Sequence, residues 1–231
     1  MTNTRYLILP ILTTLLIWTL NNPIGKLPPL GKFLDPFHGY LALVGSDDLK
    51  RLHMDTPQLK SPVTVIFDSL RIPHIFAEND IDLYFAQGYI MASERLWQME
   101  FQTHAAGGRL SEIVGEKALA YDRFQRRVGM VFGAENSANA LKKDAELSKM
   151  ENAFTEGINA YIASLPKDQY PLEYKILDYA PEPWTPLKTS LLLKYMAWML
   201  TGRNTELTYT RMWNEMGRDV VEELFPIYPW F

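Results

Sequence analysis

The stretch from Asn79 to Gly108 constrains the fold most, because its pattern is that of one long amphipathic helix. Asn79 or Asp80 can cap the first turn. Apolar side chains then recur at spacings of four and three residues: Phe85, Tyr89, Ala92, Leu96 and Met99. Gly107-Gly108 supplies a helix end. The rest of the chain must provide a surface for this apolar stripe.

Two short strands precede that helix, and several helices follow it. The β-branched run 63–67 predicts a strand, and 72–77 predicts a partner that Pro73 confines to an edge. Residues 109–114 form a short turn before Gly115. Further helices are predicted at 117–132, 138–165, 188–201, 205–216 and 219–224, with 170–184 extended. The fold class is therefore α+β, mainly helical with a few strands.

Two glycines and one apolar run set expectations within these later helices. Gly133 is expected to end helix 117–132, and Gly217 to end helix 205–216. The run 188–201 carries apolar residues on nearly every side, so it is expected to be buried.

Composition excludes several kinds of chemistry. The 231 residues include no Cys, which rules out disulfides, thiolate zinc sites and a Cys nucleophile. A net charge of −4 argues against nucleic acid as a partner. The chain has neither a phosphate-binding nor a dinucleotide-binding glycine motif, so no organic cofactor is expected. Its four histidines lack metal-ligand spacing, and no pairing of carboxylates can be inferred from the sequence.

The N-terminus resembles an export segment. Arg5 precedes an uncharged apolar run at 6–20, which is short for a bilayer about 30 Å thick. We interpret residues 1–22 as an export signal or a membrane anchor, which predicts a periplasmic or exported protein. Residues 23–61 begin with a proline-rich stretch and are predicted to be a linker or wrapping segment. A globular region is predicted at 62–231.

Five short motifs, in order, resemble the α-chain of the penicillin amidase (penicillin acylase) family. They are IPHI at 72–75, AQGY at 86–89, ERLWQME at 94–100, GRLSE at 108–112, and PLEY at 171–174 with PEPWTP at 181–186. The proline-rich stretch PIGKLPPLGKFLDP resembles the approach to the catalytic part in one group of these enzymes.

This resemblance implies a fold and a mechanism. The family consists of N-terminal-nucleophile hydrolases with an αββα core, whose precursors cut themselves into an α-chain and a β-chain. The first residue of the β-chain is a Ser that attacks an amide carbonyl, with its own α-amino group as the base. The chain stops about where the family's α-chain ends. The expected partners are therefore that β-chain and a small N-acyl amide, and residues 1–231 alone should be inactive.

The resemblance also suggests site residues near the end of helix 188–201. Trp198, Met199, Leu200 and Arg203 are the candidates for the acyl pocket, with core packing and a surface Arg as the alternative. Glu206 is the candidate ligand of a structural Ca²⁺ whose other ligands lie on the β-chain; the alternative is a solvated Glu at a helix start.

Other residues in the matching motifs are interpreted as structural. His74 is expected to bond to backbone within its strand rather than to act as a base. Arg95, Trp97 and Glu100 are expected to lock the long helix against the sheet by burial and ion pairing. Two functions remain open at this point: the α-chain part of an exported amidase, or a truncated, inactive remnant that at most binds a β-chain.

Overall fold

The computed structural model describes residues 3–22, 24, 29–35, 37, 39, 51–201 and 205–226. This part of the chain is mainly helical with one small antiparallel sheet, as predicted. It divides into two compact units, Met1–Tyr195 and Met196–Phe231, which we describe separately.

The strands are β1 Arg51–Met54, β2 Val63–Phe67 and β3 Pro73–Phe76. The first helices are α1 Asn3–Asn21, α2 Gly31–Leu34, α3 Asp80–Gly107, α4 Ser111–Val114, α5 Leu119–Val128 and α6 Met130–Leu141. The later ones are α7 Ala145–Ser164, α8 Leu172–Leu177, α9 Pro186–Leu200, α10 Thr205–Met216 and α11 Arg218–Leu224. Short 3₁₀ turns lie at Glu116–Ala118 and Lys167–Gln169.

The sheet has the order β1-β2-β3, so β2 is central and β3 is an edge strand, as Pro73 predicted. Val63 and Val65 of β2 are fully buried against Phe85, Ala86 and other apolar residues. The sequence did not predict β1. Its residues, RLHM, carry no run of β-branched side chains, and pairing with β2 makes them a strand.

The long helix α3 begins and ends where its sequence predicts. The Asn79 side chain accepts a hydrogen bond from the backbone N–H of Asp82, and Gly108 takes the left-handed conformation (φ 64°) at the other end. Arg95 has non-helical backbone angles (φ −143°, ψ 20°), which kink the helix. Residues before the kink, up to Ile90, pack on the sheet side. Ala92, Leu96 and Met99 belong to a second core cluster with Tyr174 and Trp184.

Helices α3 and α7 cross at two glycines. A Cβ atom on Gly88 would lie 2.1 Å from the carbonyl oxygen of Phe154, and one on Gly157 would lie 2.0 Å from that of Phe85. Both distances are far below van der Waals contact, so only glycine allows the two backbones to come this close.

Two buried aspartates fasten loops to the helices. Asp82 accepts the backbone N–H groups of Lys60 and Ser61, both at 2.9 Å, which fixes the approach to β2. Asp122 accepts those of Leu110 and Ser111 at 2.9 and 2.8 Å. Burial acts to raise the pKa of each carboxyl, but these hydrogen bonds outweigh it and lower both pKa values.

Two predicted boundaries were wrong. The helix predicted at 117–132 ends at Val128, because Gly129 takes a positive φ of 77° and starts a new helix that runs through Gly133. The segment 170–184, predicted as extended, contains the short helix α8. Pro171 suits a position just before a helix, so a proline at the start of this segment did not exclude one.

The predicted burial of helix 188–201 was also wrong. In α9 only Lys188, Ser190 and Leu191 are buried, whereas Met199 and Leu200 are 61% and 78% exposed. An apolar helix requires a partner surface, but the requirement does not show that this chain provides one.

The helices at the two ends of the chain add one observation each. Helices α10 and α11 have nearly their predicted bounds and contact each other through Tyr209 and Phe225, whose ring centroids are 6.1 Å apart. Helix α1 exposes apolar side chains between Ile8 and Trp18, among them Leu15 and Leu16. Within the described residues, no helix has the length and apolarity needed to cross a membrane.

The glycine crossing leads to a stability prediction. Gly157→Ala should lower the free energy of unfolding by about 2 kcal/mol or more, because its methyl group forces α3 and α7 apart. Gly133→Ala is the matched control: the nearest atoms to its Cβ are 3.8 Å away, so the same change should raise stability by about 0.5–1 kcal/mol. Urea unfolding of both variants measures the difference, and equal effects would contradict the crossing.

Candidate functional site

The carboxylate of Glu100 is buried in the second half of α3, where its residue is only 1% exposed. Its Oε1 accepts hydrogen bonds from the hydroxyl of Tyr179 (2.9 Å) and the backbone N–H of Glu182 (2.8 Å). Its Oε2 accepts one from the hydroxyl of Tyr174. A buried carboxylate without such donors would cost several kcal/mol, so these contacts are needed for the fold.

A second carboxylate, that of Glu182, lies beside the first and is paired with two cations. Arg109 donates to both of its oxygens, at 2.8 and 3.3 Å, and Lys188 Nζ lies 3.1 Å from Oε2. Hydrogen bonding from Arg109 and the charge of Lys188 lower the pKa of Glu182 to about 2 despite partial burial. Arg109 also pairs with Glu112 at the rim, at 2.7 Å.

Lys188 is the buried cation between the two carboxylates. Its Nζ is 3.1 Å from Glu182 and 3.7 Å from Glu100, and it lies 5.7 Å from the ring centroid of Trp184. Neither carboxylate receives an aligned hydrogen bond from this ammonium group. Lys188 therefore contributes mainly as a positive charge that compensates one buried and one partly buried negative charge.

His104 completes the group on the next turn of α3. Its Nδ1 lies 3.0 Å from the carbonyl oxygen of Glu100, and its Nε2 is 3.4 Å from the hydroxyl of Tyr179 and 3.7 Å from Glu182. We name the whole arrangement the Glu100 cluster; its members are Glu100, His104, Arg109, Tyr174, Tyr179, Glu182 and Lys188.

Three members of the Glu100 cluster are close enough to hold a metal ion. Ligand atoms of Glu100, His104 and Glu182 lie within 4.8 Å of one another, the one such group among the described residues. The carboxylate oxygens already accept hydrogen bonds from tyrosine, arginine and backbone donors. The ammonium group of Lys188 supplies the positive charge that a metal ion would otherwise supply. The cluster is internally neutralised and does not fit a metal site.

The Glu100 cluster has a structural role: its hydrogen bonds and ion pairs hold neighbouring segments of the fold together. Burial and the neighbouring Glu100 raise the pKa values of Tyr174 and Tyr179, so both hydroxyls stay protonated and act as donors. The cluster joins α3 to α8 and to the segment that leads into α9. It thereby sets where α9 begins.

The predicted site residues lie at the other end of α9 and beyond it. Trp198 is half-buried, while Met199 and Leu200 are exposed in the last turn. Successive helix positions point about 100° apart, so the side chains of these three residues leave the helix in different directions. Arg203 lies outside the described residues. Glu206 is exposed in the first turn of α10 and is not in the three-member group above.

The structural expectations for the motif residues were correct in part. Glu100 is buried and ion-paired as expected, but it locks α3 to the Tyr174–Lys188 segment rather than to the sheet. Trp97 packs with its ring edge to face against Tyr174, at 5.0 Å between centroids. Arg95 is exposed at the kink instead of buried. His74 is also exposed, and its Nε2 is 3.4 Å from Asp68 Oδ2 rather than bonded to backbone.

Comparison with known proteins identifies the family. The profile described as penicillin amidase matches residues 62–230, which is most of the chain. The chain belongs to the penicillin amidase family.

Its relatives include enzymes named for two kinds of substrate. The penicillin acylase 2 proenzyme of Pseudomonas sp. (strain SE83) is 34% identical over 73% of this chain. The acyl-homoserine lactone acylase QuiP of Pseudomonas aeruginosa is 32% identical over 74% of it. In both cases the chain spans about a fifth (20%) of the relative's length.

A solved structure matches this chain over most of the length of both chains. The thermostable penicillin G acylase from Alcaligenes faecalis has a chain that superimposes with a TM-score of 0.63 and 25% identity. The match covers 73% of our chain and 93% of that one. This penicillin amidase family chain therefore corresponds to almost the whole of one short chain in the solved enzyme.

Four members of the Glu100 cluster come from the motifs that resemble the family. ERLWQME contributes Glu100, GRLSE contributes Arg109, PLEY contributes Tyr174, and PEPWTP contributes Glu182. Sequence reasoning missed their meeting point, along with Tyr179 and Lys188. The signal available was that each motif contains charged or phenolic residues without an evident use, but pairing them required the fold.

The cluster predicts a stability difference between the two acidic partners of Arg109. Glu182→Gln should lower the free energy of unfolding at pH 7 by about 2 kcal/mol, because Lys188 and Arg109 lose a partner that is 30% exposed. Glu112→Gln removes a partner that is 48% exposed and should cost at most about 1 kcal/mol.

Acid should erase the contribution of Glu182. Its pKa is lowered from 4.5 to about 2, so its stabilisation is complete above pH 4.5 and lost as pH falls toward 2. The wild type and Glu182→Gln should therefore converge in stability across that interval. Urea unfolding at several pH values measures it; a constant difference down to pH 2 would contradict the assignment.

Proposed function

We propose that this chain is the α-chain part of an amidase that hydrolyses the amide bond of an N-acyl substrate. A β-lactam side chain and an acyl-homoserine lactone are the substrate types that the named relatives suggest. One observation carries the proposal: the chain covers 93% of one chain of the solved penicillin G acylase but only 20% of the relatives' full length. This difference in coverage supports assigning the remaining machinery to a second chain.

The catalytic Ser is proposed to be the first residue of that second chain, the β-chain, and to use its own α-amino group as the base. An α-amino group has a pKa near about 8 and can accept a proton at neutral pH. The contacts of the described histidines support a nucleophile elsewhere. His53 contacts Thr64, His74 contacts Asp68, and His104 contacts the carbonyl oxygen of Glu100, so none of these three contacts is with a serine.

The contribution of this chain to the substrate pocket is proposed to come from the end of α9. Exposed Met199 and Leu200 are available to a partner surface, and the neighbouring Trp198 and Arg203 complete the candidate set. Glu206 is proposed to give a carboxylate to a structural Ca²⁺. One carboxylate fits such a site only as one of the roughly six to eight oxygen ligands that Ca²⁺ takes, so the others must come from the β-chain.

Hydrolysis of a phenylacetyl-amide reporter tests the proposed function. The 231-residue chain alone should show no activity, and co-expression with a Ser-led β-chain encoded downstream should produce it. Hydrolysis by the purified chain alone would contradict the division of labour. A downstream sequence without any such β-chain would instead favour an inactive remnant.

Leu200→Ala tests the pocket in the two-chain enzyme. Methylene-sized changes in an acyl pocket alter the ratio of specificity constants for two acyl groups by about ten- to two-hundred-fold. We expect such a shift with little loss of stability, because Leu200 is 78% exposed in this chain. Leu207→Ala, at a 65% exposed position on α10, is the matched control and should leave acyl preference unchanged. An unchanged preference in Leu200→Ala would remove Leu200 from the pocket.

We also propose that α1 directs export or anchors the chain at a membrane. Its exposed apolar side chains support this role, since none of them is needed to build the core. Replacing both Leu15 and Leu16 by Lys should keep a fused periplasmic reporter in the cytoplasm, at about 2.5–3.5 kcal/mol for each charge in an apolar segment. Normal export of the double variant would refute the proposal.

A further inference from the structure

A cavity of about 330 Å³ lies between α3, α6, α7 and the start of α9, away from the Glu100 cluster. Its size is within the range of pockets that bind small organic molecules. Aromatic and aliphatic side chains form most of its wall: Tyr84, Leu141, Leu147, Met150 and Phe154. The amidase function proposed above makes no use of it.

One charged side chain, Glu151, lines this cavity. Its Oε1 is shielded from solvent, and no group in the described part of the chain donates a hydrogen bond to it. Elsewhere in this fold the buried carboxylates of Asp82, Asp122 and Glu100 each accept two or more hydrogen bonds. Glu151 is therefore an exception that calls for a donor from outside the chain.

We propose that this cavity binds organic ammonium compounds. The side chain of Glu151 would turn its carboxylate toward the cavity and accept a hydrogen bond from the ammonium group, and the apolar body would pack against Leu147, Met150 and Phe154. Two features of the wall favour a cation over a neutral donor. The carboxylate supplies the opposite charge, and the wall includes the aromatic rings of Tyr84 and Phe154, a residue type whose ring faces attract ammonium groups.

The protonation of Glu151 gives the site a characteristic pH dependence. Burial raises the pKa of Glu151, and the more distant positive charge of Lys142 offsets this only in part. Among the lining residues the other titratable group is Tyr84. Affinity for an ammonium compound should therefore fall as pH drops through the raised pKa of Glu151, while affinity for a neutral analogue should not change.

Isothermal titration of the 231-residue chain with n-hexylammonium and with 1-hexanol tests the proposal. The wild type should bind hexylammonium at least about tenfold more tightly than hexanol, the gain expected of one charge-assisted hydrogen bond. Glu151→Gln should bring the two affinities within about twofold. Glu146→Gln, which removes the same charge from an exposed position on the same helix, should keep the wild-type ratio.

Two further measurements keep the test decisive if Glu151→Gln fails to fold. The pH dependence uses the wild type alone. Leu147→Ala, at a half-exposed wall position, should weaken both probes several-fold and leave their ratio unchanged. Equal affinities of the wild type for the two probes, a ratio that persists in Glu151→Gln, or a pH-independent hexylammonium affinity would overturn the proposal. None of these readouts depends on amide hydrolysis.

Discussion

The buried carboxylate of Glu100 is the group on which the arrangement of this chain depends. A negative charge in the middle of α3 is tolerable only because donors from distant parts of the sequence surround it. Two tyrosine hydroxyls and a backbone N–H donate hydrogen bonds to its oxygens, and Lys188 compensates its charge. The cost of leaving that carboxylate unpaired therefore fixes the path of the chain from α8 to α9.

The first half of the same helix is held by close packing rather than by charge. Gly88 and Gly157 bring the backbones of α3 and α7 into contact, and the apolar stripe before the kink covers β2. Glycine contacts and the Glu100 cluster thus act on opposite halves of α3. The kink at Arg95 lies between them and allows each half to follow its own partner.

The fold was predictable where local chemistry decides it. Asn79 and Gly108 end α3 by capping geometry, which depends only on nearby residues, and both were predicted. Gly129 and Gly133 show the limit. Both are glycines in a helical region, yet only the first has a positive φ, and local sequence did not distinguish them. Strand β1 was missed because its pairing with β2, not its composition, makes it a strand.

The Glu100 cluster could not be predicted from the sequence, although the motifs that resemble the family contain four of its members. The residue types of the Glu100 cluster are ordinary, and its members lie up to 88 positions apart, from Glu100 to Lys188. No periodicity connects such positions. The apolar character of α9 was read correctly, but its burial was not, because the sequence of one chain cannot state which surface covers an apolar helix. Membership of the penicillin amidase family, with a match to nearly one whole chain of a solved acylase, supports the proposal that a second chain supplies that surface.

A double-mutant cycle between Glu100→Gln and Lys188→Met tests the central claim most directly. Each single change removes one partner from a buried charge and should cost about 3 kcal/mol in the free energy of unfolding, although Glu100 keeps its hydrogen-bond donors and Lys188 keeps Glu182. Because the double variant removes both charges, its cost should be smaller than the sum by at least about 1 kcal/mol. Costs that add within about 0.5 kcal/mol would show that the two charges do not depend on each other and would contradict the account.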